Sequence, residues 1–241
     1  MAASQISSRI DGGIATIDFN RPGVGNTITR DMMRDLTRLL GTFGSDPSVK
    51  GIALRPAGAS FCEGRDRAGE SLKDMTAHAV RTEVLSVILD LYGAVQAAAV
   101  PVVACVKGKA LGFGAALAGC CDVTLAADTA RFSFPEIEHK TPPTLAMTAV
   151  MRSVQRKSLG YLIYSAEEVD ASMAQGMGLV SRIFPEQAFD REVDRFLATL
   201  ATRPRLTLET VKRFQNKAAT LEPDMMSEYA GTLMALVRTA I

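Results

Sequence analysis

The sequence predicts an α/β protein built on a largely parallel sheet. In the first half of the chain, short runs of branched apolar residues alternate with segments whose apolar residues recur at helical spacing. Strands separated by helices imply right-handed crossovers between parallel neighbours. With 241 residues, 47% of them hydrophobic and 22% charged, the chain has an ordinary globular composition and can form a sizeable core.

Local signals place the elements of the first half. Residues 6–10 and 14–19 are predicted strands joined by a hairpin turn at Asp11, Gly12 and Gly13. Thr29 can cap a helix that runs to about residue 43. Further strands are predicted at residues 49–54, 101–106 and 123–126, and a long helix at residues 71–98.

After residue 144 helical patterns dominate, and residues 179–183 form the single strand predicted there. Amphipathic helices are predicted at residues 186–200, 205–219 and 224–238, joined by turns that contain proline. We therefore divide the chain into a core of residues 1–185 and a C-terminal helical region of residues 186–241.

Charge and hydropathy narrow the possible partners. The 27 basic and 26 acidic residues give a net charge of +1, so neither nucleic-acid nor membrane binding is expected. No apolar run approaches the about 18 residues of a membrane-spanning helix. The N-terminal residues lack the basic and apolar regions of a secretory signal, which favours a cytoplasmic protein.

The cysteines indicate reduced thiols rather than disulfides or a metal site. Adjacent Cys120 and Cys121 have poor disulfide geometry, and the chain contains no CxxC motif. Neither His78 nor His139 lies at metal-ligand spacing from a cysteine. No metal site is expected.

Two glycine-containing loops follow predicted strands, at residues 57–66 and 108–114. In a parallel sheet both lie at the carboxyl ends of strands, where ligands usually bind. Two backbone N–H groups converging on one carbonyl oxygen form an oxyanion hole, in which each donor contributes about 2.7–4 kcal/mol of transition-state stabilisation. Ordinary turn chemistry gives the same spacing, so the loops alone do not establish such a site.

The stretch from Lys107 to Glu136 adds a carboxylate to the second loop. A valine-rich strand leads through the loop into a small-residue helix, and Glu136 follows Pro135 further on. A turn with exposed backbone, a helix N-terminus and an acid are the parts of a site that stabilises an anion and moves a proton.

Taken together, several motifs resemble one family in order and spacing. They are Asn20-Arg21-Pro22 with Asn26, the run from Ser60 to Asp66, the run from Gly108 to Gly114, Cys121-Asp122, the run from Phe132 to Glu136, and the run from Gln175 to Val180. This combination resembles the enoyl-CoA hydratase/isomerase (crotonase) superfamily over nearly the whole chain.

The resemblance implies a spiral of ββα units, a C-terminal helical region used for oligomerisation, and thioester substrates carried on coenzyme A. It implies a homotrimer or a dimer of trimers, and no cofactor apart from the coenzyme A of the substrate. The backbone N–H groups of Arg65 and Phe113 match the family's oxyanion-hole positions, although glycine is usual at the position of Phe113.

Substrate-binding residues are also implied by the resemblance. Arg21, Arg65 and Arg67 are candidates to bind the phosphates of coenzyme A, because guanidinium groups pair well with phosphate; each could equally be a solvated surface charge. The loop residues Ser60, Glu63 and Gly64, with Gly112, are expected near the substrate. Asp66 is expected to order its loop, with a substrate contact as the alternative.

The number of catalytic carboxylates indicates which reaction the site favours. Hydratases of this family use one glutamate on the helix after the second loop and another in the Pro-Glu segment, but here the helix position is Ala116 and only Glu136 remains. One shuttling base with an oxyanion hole suffices to isomerise a double bond, so an enoyl-CoA isomerase is favoured. A hydratase of acyl-CoA degradation stays open, since Glu138 or Glu63 could supply a second acid.

Two further alternatives are left open by the residues alone. His139 could act as a base, although a structural hydrogen bond is the simpler interpretation. With one acid missing, the chain could also be a CoA-ligand-binding relative with reduced catalysis.

Overall fold

A computed structural model describes residues 5–240 of the chain. The strands in this part are β1 (Ile6–Asp11), β2 (Ile14–Phe19), β3 (Gly51–Pro56), β4 (Val102–Val106), β5 (Lys109–Leu111), β6 (Val123–Ala127), β7 (Arg131–Ser133), β8 (Val169–Asp170) and β9 (Arg182–Phe184).

The helices connect and cover these strands. The α-helices are α1 (Arg30–Ser45), α2 (Ala77–Ala79), α3 (Ser86–Ala97), α4 (Phe113–Cys120), α5 (Thr144–Val150), α6 (Arg156–Ser165), α7 (Ala171–Gly176), α8 (Phe189–Ala201), α9 (Arg205–Ala218) and α10 (Pro223–Ala240). A π-helical segment, Val80–Leu85, joins α2 to α3, and short 3-10 helices lie at Pro22–Val24, Pro135–His139 and Glu186–Ala188. Between residues 5 and 240, no helix has the combined length and apolarity to cross a membrane.

The main sheet is largely parallel, as predicted. Its strand order is β1-β2-β3-β4-β6-β9, and only the β1–β2 hairpin is antiparallel. Helix α1 connects β2 to β3, and the helical segment from α2 to α3 connects β3 to β4. The carboxyl ends of β3 and β4 therefore lie at the same edge of the sheet, where both glycine-containing loops begin.

A second, smaller sheet was not predicted from the sequence. Strands β5 and β7 pair in parallel, and β8 adds to β7 in the antiparallel direction. With only two or three residues each, these strands are too short to show an alternating pattern. This sheet positions the site, because β5 leads directly into Gly112 and β7 leads into the segment that carries Glu136.

Both faces of the main sheet are covered by helices. On one face, α1, α3 and α4 form the larger core, to which Leu36, Leu91 and Leu117 contribute fully buried side chains. On the other face, α8 buries Phe189, Val193 and Leu197 against sheet residues that include Val103 and Leu125. The opposite faces of β4 thus belong to different cores, which explains why its sequence is apolar throughout.

Several element boundaries differ from the sequence prediction by two residues or more, as at β3 and at the start of α8. The long helix begins at Ala77 rather than near residue 71, because Thr76 accepts a hydrogen bond from the Ala79 amide at 3.1 Å and caps the helix there. The last strand is Arg182–Phe184; Leu179 and Val180 precede it as buried residues. The predicted cap of α1 is confirmed, since Thr29 accepts a hydrogen bond from the Met32 amide at 3.2 Å.

A buried lysine ties the C-terminal helices to the sheet. Lys212 on α9 is 2% exposed, and its ammonium group lies 2.7 Å from Asp122. It also donates to the carbonyl oxygens of Val95 at 2.8 Å and Val100 at 3.2 Å. The same Asp122 oxygen accepts the Val102 amide at 2.7 Å, so one carboxylate links α9 to the start of β4.

Lys212→Met is expected to lower the free energy of unfolding by up to about 3–5 kcal/mol, the range for a buried pair, because it leaves the partly buried Asp122 carboxylate without its cation. Urea denaturation measures the loss. The control is Lys217→Met on the same helix, where the lysine is exposed and only a small effect is expected. Equal stability of the two variants would contradict a buried, stabilising ion pair.

Candidate active site

The side chain of Asn26 fixes the start of the first glycine-containing loop, residues 57–66. Its side chain is fully buried, and its Nδ2 donates to the carbonyl oxygens of Ala57 at 2.8 Å and Ser60 at 2.7 Å. Its Oδ1 accepts the Arg21 amide at 2.8 Å. Since a buried amide side chain is costly to leave unpaired, these bonds fix the start of the loop.

The backbone amide of Arg65 is left free by the loop's hydrogen bonding. The Ile28 amide donates to the Gly64 carbonyl at 3.0 Å, and the Asp66 amide donates to the Ile28 carbonyl at 2.9 Å. Successive amides of an extended segment point to opposite sides, so the Arg65 N–H points away from Ile28. Among residues 5–240 it has no hydrogen-bond acceptor, and it can bind a ligand oxygen.

The second loop leaves the amide of Phe113 free at a helix N-terminus. The Gly112 amide donates to the Ser133 carbonyl at 2.8 Å, and the Ala116 amide donates to the Gly112 carbonyl at 3.0 Å. The opening amides of a helix have no partner inside it. Because no other acceptor in the described part of the chain takes the Phe113 amide, it is also available to a ligand.

Cys62 joins the two loops. Its amide donates to the Lys109 carbonyl at 3.1 Å, and its carbonyl accepts the Leu111 amide at 2.9 Å. Gly114 packs so closely on the Cys62 carbonyl that a Cβ at position 114 would overlap it. This contact brings the segments of Arg65 and Phe113 to one cleft.

The cleft has a volume of about 490 Å³ and is mostly apolar, with a few polar groups. Its lining residues are Glu63, Gly64, Arg65, Arg67, Leu85, Ile88, Tyr92, Leu111, Gly112, Phe113, Pro135, Glu136, His139, Thr141, Pro142, Pro143, Leu145 and Ala146.

Glu136 enters this cleft beside the second loop. It lies on the 3-10 helix Pro135–His139 that follows β7, and its Oε1 is 2.6 Å from where a Cβ on Gly112 would stand. Its Oε2 is buried and has no hydrogen-bond partner within residues 5–240. The carboxylate therefore lies against the second loop, beside Gly112, with one oxygen unpaired.

Burial raises the pKa of the Glu136 carboxyl above its ordinary value. Its own backbone amide and the nearby charges of Arg67 and His139 oppose this shift without cancelling it. A carboxylate with a raised pKa is a stronger base than an exposed one, and it can hold an abstracted proton for longer.

The side chains of Arg21 and Asp66 stabilise the first loop. Arg21 pairs with Asp66 at 2.9 Å and donates to the Thr27 carbonyl at 2.6 Å. Asp66 also accepts the Ala68 amide at 2.9 Å, which agrees with its expected loop-ordering role. Neither side chain lines the cleft.

The remaining predicted substrate-binding residues differ in availability. The Arg65 guanidinium pairs with Glu70 at 2.6 Å, whereas the exposed Arg67 lines the cleft and forms no ion pair within residues 5–240. Gly64 and Gly112 line the cleft. Ser60 lies outside the cleft, and its hydroxyl donates to the Glu63 carboxylate at 2.6 Å. Glu63 lines the cleft, but one of its oxygens is therefore already paired.

The position of the missing acid lies in the hydrophobic core. Ala116 is fully buried on α4 and does not line the cleft. Glu138 is exposed on the 3-10 helix and also does not line it, while His139 does. Of the two residues nearest to Glu136 that could replace a second carboxylate, His139 lies in the cleft and Glu138 lies outside it.

One side of the cleft, formed by the π-helical segment Val80–Leu85 and α3, was not predicted from the sequence. Leu85, Ile88 and Tyr92 line the cleft at spacings of three and four residues, and the Tyr92 ring stacks on Phe113 with centroids 5.8 Å apart. Their spacing is the only sequence signal, and ordinary core residues of a helix show the same pattern.

A family model described as "Enoyl-CoA hydratase/isomerase" matches residues 9–235. The chain is 28% identical over 218 residues to a protein of Mycobacterium tuberculosis named "Probable enoyl-CoA hydratase echA8", covering 90% of this chain and 79% of the relative. It is 29% identical over 201 residues to the "2,3-dehydroadipyl-CoA hydratase" of Escherichia coli, covering 83% of this chain and 77% of that protein.

A solved structure agrees with the same fold. The enoyl-CoA hydratase of Mycobacterium smegmatis superposes with a TM-score of 0.91 and 27% identity, covering 97% of this chain and 91% of that one. The crotonase-like α/β fold with a C-terminal helical region, expected from the sequence motifs, is confirmed.

Gly112→Ala is expected to lower the free energy of unfolding by about 1–3 kcal/mol, the range for strained backbone. Gly112 has φ +51°, and the added Cβ would press on Glu136. Chemical denaturation checks this. Gly41→Ala, in an open helical position, should be neutral or slightly stabilising. Unchanged stability of Gly112→Ala would refute the tight contact.

Glu136→Gln is expected to raise the Tm at pH 7. Because the folded protein holds this proton more tightly than the unfolded chain, the ionised Glu136 destabilises the fold above its raised pKa. The gain should fade as pH decreases toward the ordinary value of 4.5, where both states become protonated. Thermal melts across pH measure it, with exposed Glu138→Gln as the control; a pH-independent difference would contradict the assignment.

Proposed function

Since this chain belongs to the enoyl-CoA hydratase/isomerase family, we propose that it isomerises the double bond of an enoyl-CoA thioester. Glu136 is the single shuttling base, and the amides of Arg65 and Phe113 bind the thioester oxygen. The observation that carries the proposal is the Glu136 carboxylate, buried in the cleft with one oxygen unpaired, beside a helix whose second acid position is the buried Ala116.

The reaction follows from these groups. Glu136 removes a proton from the carbon next to the thioester carbonyl of a 3-enoyl-CoA, and the electrons move onto the carbonyl oxygen as a dienolate. The two amides stabilise that developing charge, each by about 2.7–4 kcal/mol. Glu136 then returns the proton to the remote carbon, which gives the conjugated 2-enoyl-CoA.

We propose that an arginine without an ion pair binds the coenzyme A part of the substrate. Arg67, exposed at the cleft and free of an ion pair within residues 5–240, is the best-placed of the arginines to bind a phosphate of coenzyme A. Arg21 and Arg65 are proposed to act mainly through the loop they hold. We propose no cofactor beyond the coenzyme A of the substrate.

A homotrimer, or a pair of trimers, is proposed through the C-terminal helices. An apolar groove between α9 and α10 is lined by residues that include Val211, Phe214 and Met234. Val211 and Met234 are 52% and 60% exposed, which favours cover by another subunit.

Hydration of a 2-enoyl-CoA is the second candidate, favoured by the names of the relatives. The two reactions can be told apart, because isomerisation consumes a 3-enoyl-CoA and hydration consumes crotonyl-CoA. We expect the wild type to turn over 3-hexenoyl-CoA faster than it hydrates crotonyl-CoA.

Glu136→Gln is expected to reduce kcat for 3-hexenoyl-CoA by about 10²–10⁴-fold, since it removes the acid–base group. The ultraviolet absorbance of the conjugated product reports turnover. Glu138→Gln, two residues away and exposed, is the matched control and should retain activity. Full activity of Glu136→Gln would refute the base, and faster hydration than isomerisation by the wild type would establish the second candidate instead.

A further inference from the structure

Tyr92 is a buried tyrosine that the proposed isomerisation does not use. It lies on α3, is 4% exposed, and lines the same cleft as Glu136. Its ring stacks on Phe113 at an interplanar angle of 23°. Because Phe113 also carries the second oxyanion amide, the tyrosine is held in a fixed position relative to the site.

Phe113, on which the Tyr92 ring stacks, belongs to the face of α4 that carries Ala116. Phe113, Ala116 and Cys120 follow at spacings of three and four residues, so they share one side of that helix. Tyr92 stacks on Phe113 at the N-terminal end of this face. Burial raises the pKa of the Tyr92 hydroxyl well above its ordinary value, and the next causes of the rise are Cys120 and Glu136.

The Tyr92 hydroxyl and one carboxylate oxygen of Glu136 are without hydrogen-bond partners in the described part of the chain. No residue between 5 and 240 bonds to the hydroxyl, and none bonds to Glu136 Oε2. Glu136 Oε2 is the one fully buried polar side-chain atom without a partner in residues 5–240, so the Tyr92 hydroxyl is not sealed off and can bond to a group that enters the cleft. A tyrosine hydroxyl and a carboxylate that line one cleft, each with an unpaired oxygen, are suited to bind a polar group that enters it.

We propose that the Tyr92 hydroxyl is a second catalytic group, which together with Glu136 holds a water molecule over the bound acyl chain and gives the site a hydration activity. This inference rests on the proposed function for the thioester substrate and the oxyanion amides. Tyr92 thereby supplies the polar contact that Ala116 lacks.

The step balances without any further reactant. Tyr92 O–H donates a hydrogen bond to the water oxygen, and the water donates a hydrogen bond to the Glu136 carboxylate. The water oxygen bonds to C3 of a 2-enoyl-CoA as Glu136 takes a water proton and the π electrons move onto the thioester oxygen. Glu136 then gives that proton to C2, which yields a 3-hydroxyacyl-CoA, and Tyr92 keeps its own proton.

The test is the ratio of two activities of the full-length protein, hydration of crotonyl-CoA and isomerisation of 3-hexenoyl-CoA. We expect wild type to hydrate crotonyl-CoA more slowly than it isomerises, and Tyr92→Phe to lower the hydration-to-isomerisation ratio about tenfold or more, the value of one lost hydrogen bond to a reacting group. Incorporation of oxygen from ¹⁸O-labelled water identifies true hydration. Tyr161→Phe, on α6 and exposed, should leave the ratio unchanged.

The outcomes separate this inference from the proposed function. Isomerisation without any hydration in the wild type overturns the role of Tyr92 and leaves the isomerase, as does an unchanged ratio in Tyr92→Phe. Hydration that depends on Tyr92, without isomerisation, supports the inference and overturns the isomerase. Equal loss of both activities in Tyr92→Phe, with unreactive butyryl-CoA still bound and an unchanged melt, assigns the ring a packing role and overturns the inference.

Discussion

The backbone contact at Cys62 is the constraint on which the site depends. The loops that carry Arg65 and Phe113 follow different strands of the main sheet, and the Cys62 amide and carbonyl bond to Lys109 and Leu111 across the gap. Gly114 allows α4 to approach this carbonyl. Because both donors are main-chain groups, the proposed oxyanion hole requires no particular side chain at position 65 or 113.

The same close packing determines the electrostatics of Glu136. Gly112 offers no side chain, so the carboxylate settles against the backbone of the second loop, where its Oε2 is buried. That burial both raises the pKa of the carboxyl and leaves Oε2 unpaired. Proximity to the amides and basicity therefore have one physical origin, which is typical of sites that move protons at neutral pH.

Three ion pairs help to hold the loop and the helices in place. Arg21 with Asp66 and Arg65 with Glu70 order the first loop, and Lys212 with Asp122 joins the C-terminal helices to the sheet. Such pairs are built from neighbouring opposite charges, so a net charge of +1 reveals none of them. The chemistry proposed for the cleft uses the two backbone amides, the Glu136 carboxylate and the Tyr92 hydroxyl.

By itself, the sequence determined the parallel α/β fold, the two loops, and Glu136 with Ala116, since these depend on periodicity and on residue types at fixed spacing. Tertiary structure alone decided that Arg21 pairs with Asp66, that the small strands β5, β7 and β8 form a sheet, and that Tyr92 on α3 reaches the cleft. The reason is physical: these features depend on contacts between residues far apart in the chain. A tyrosine in an apolar helix has the same local pattern whether its hydroxyl meets the core or a substrate.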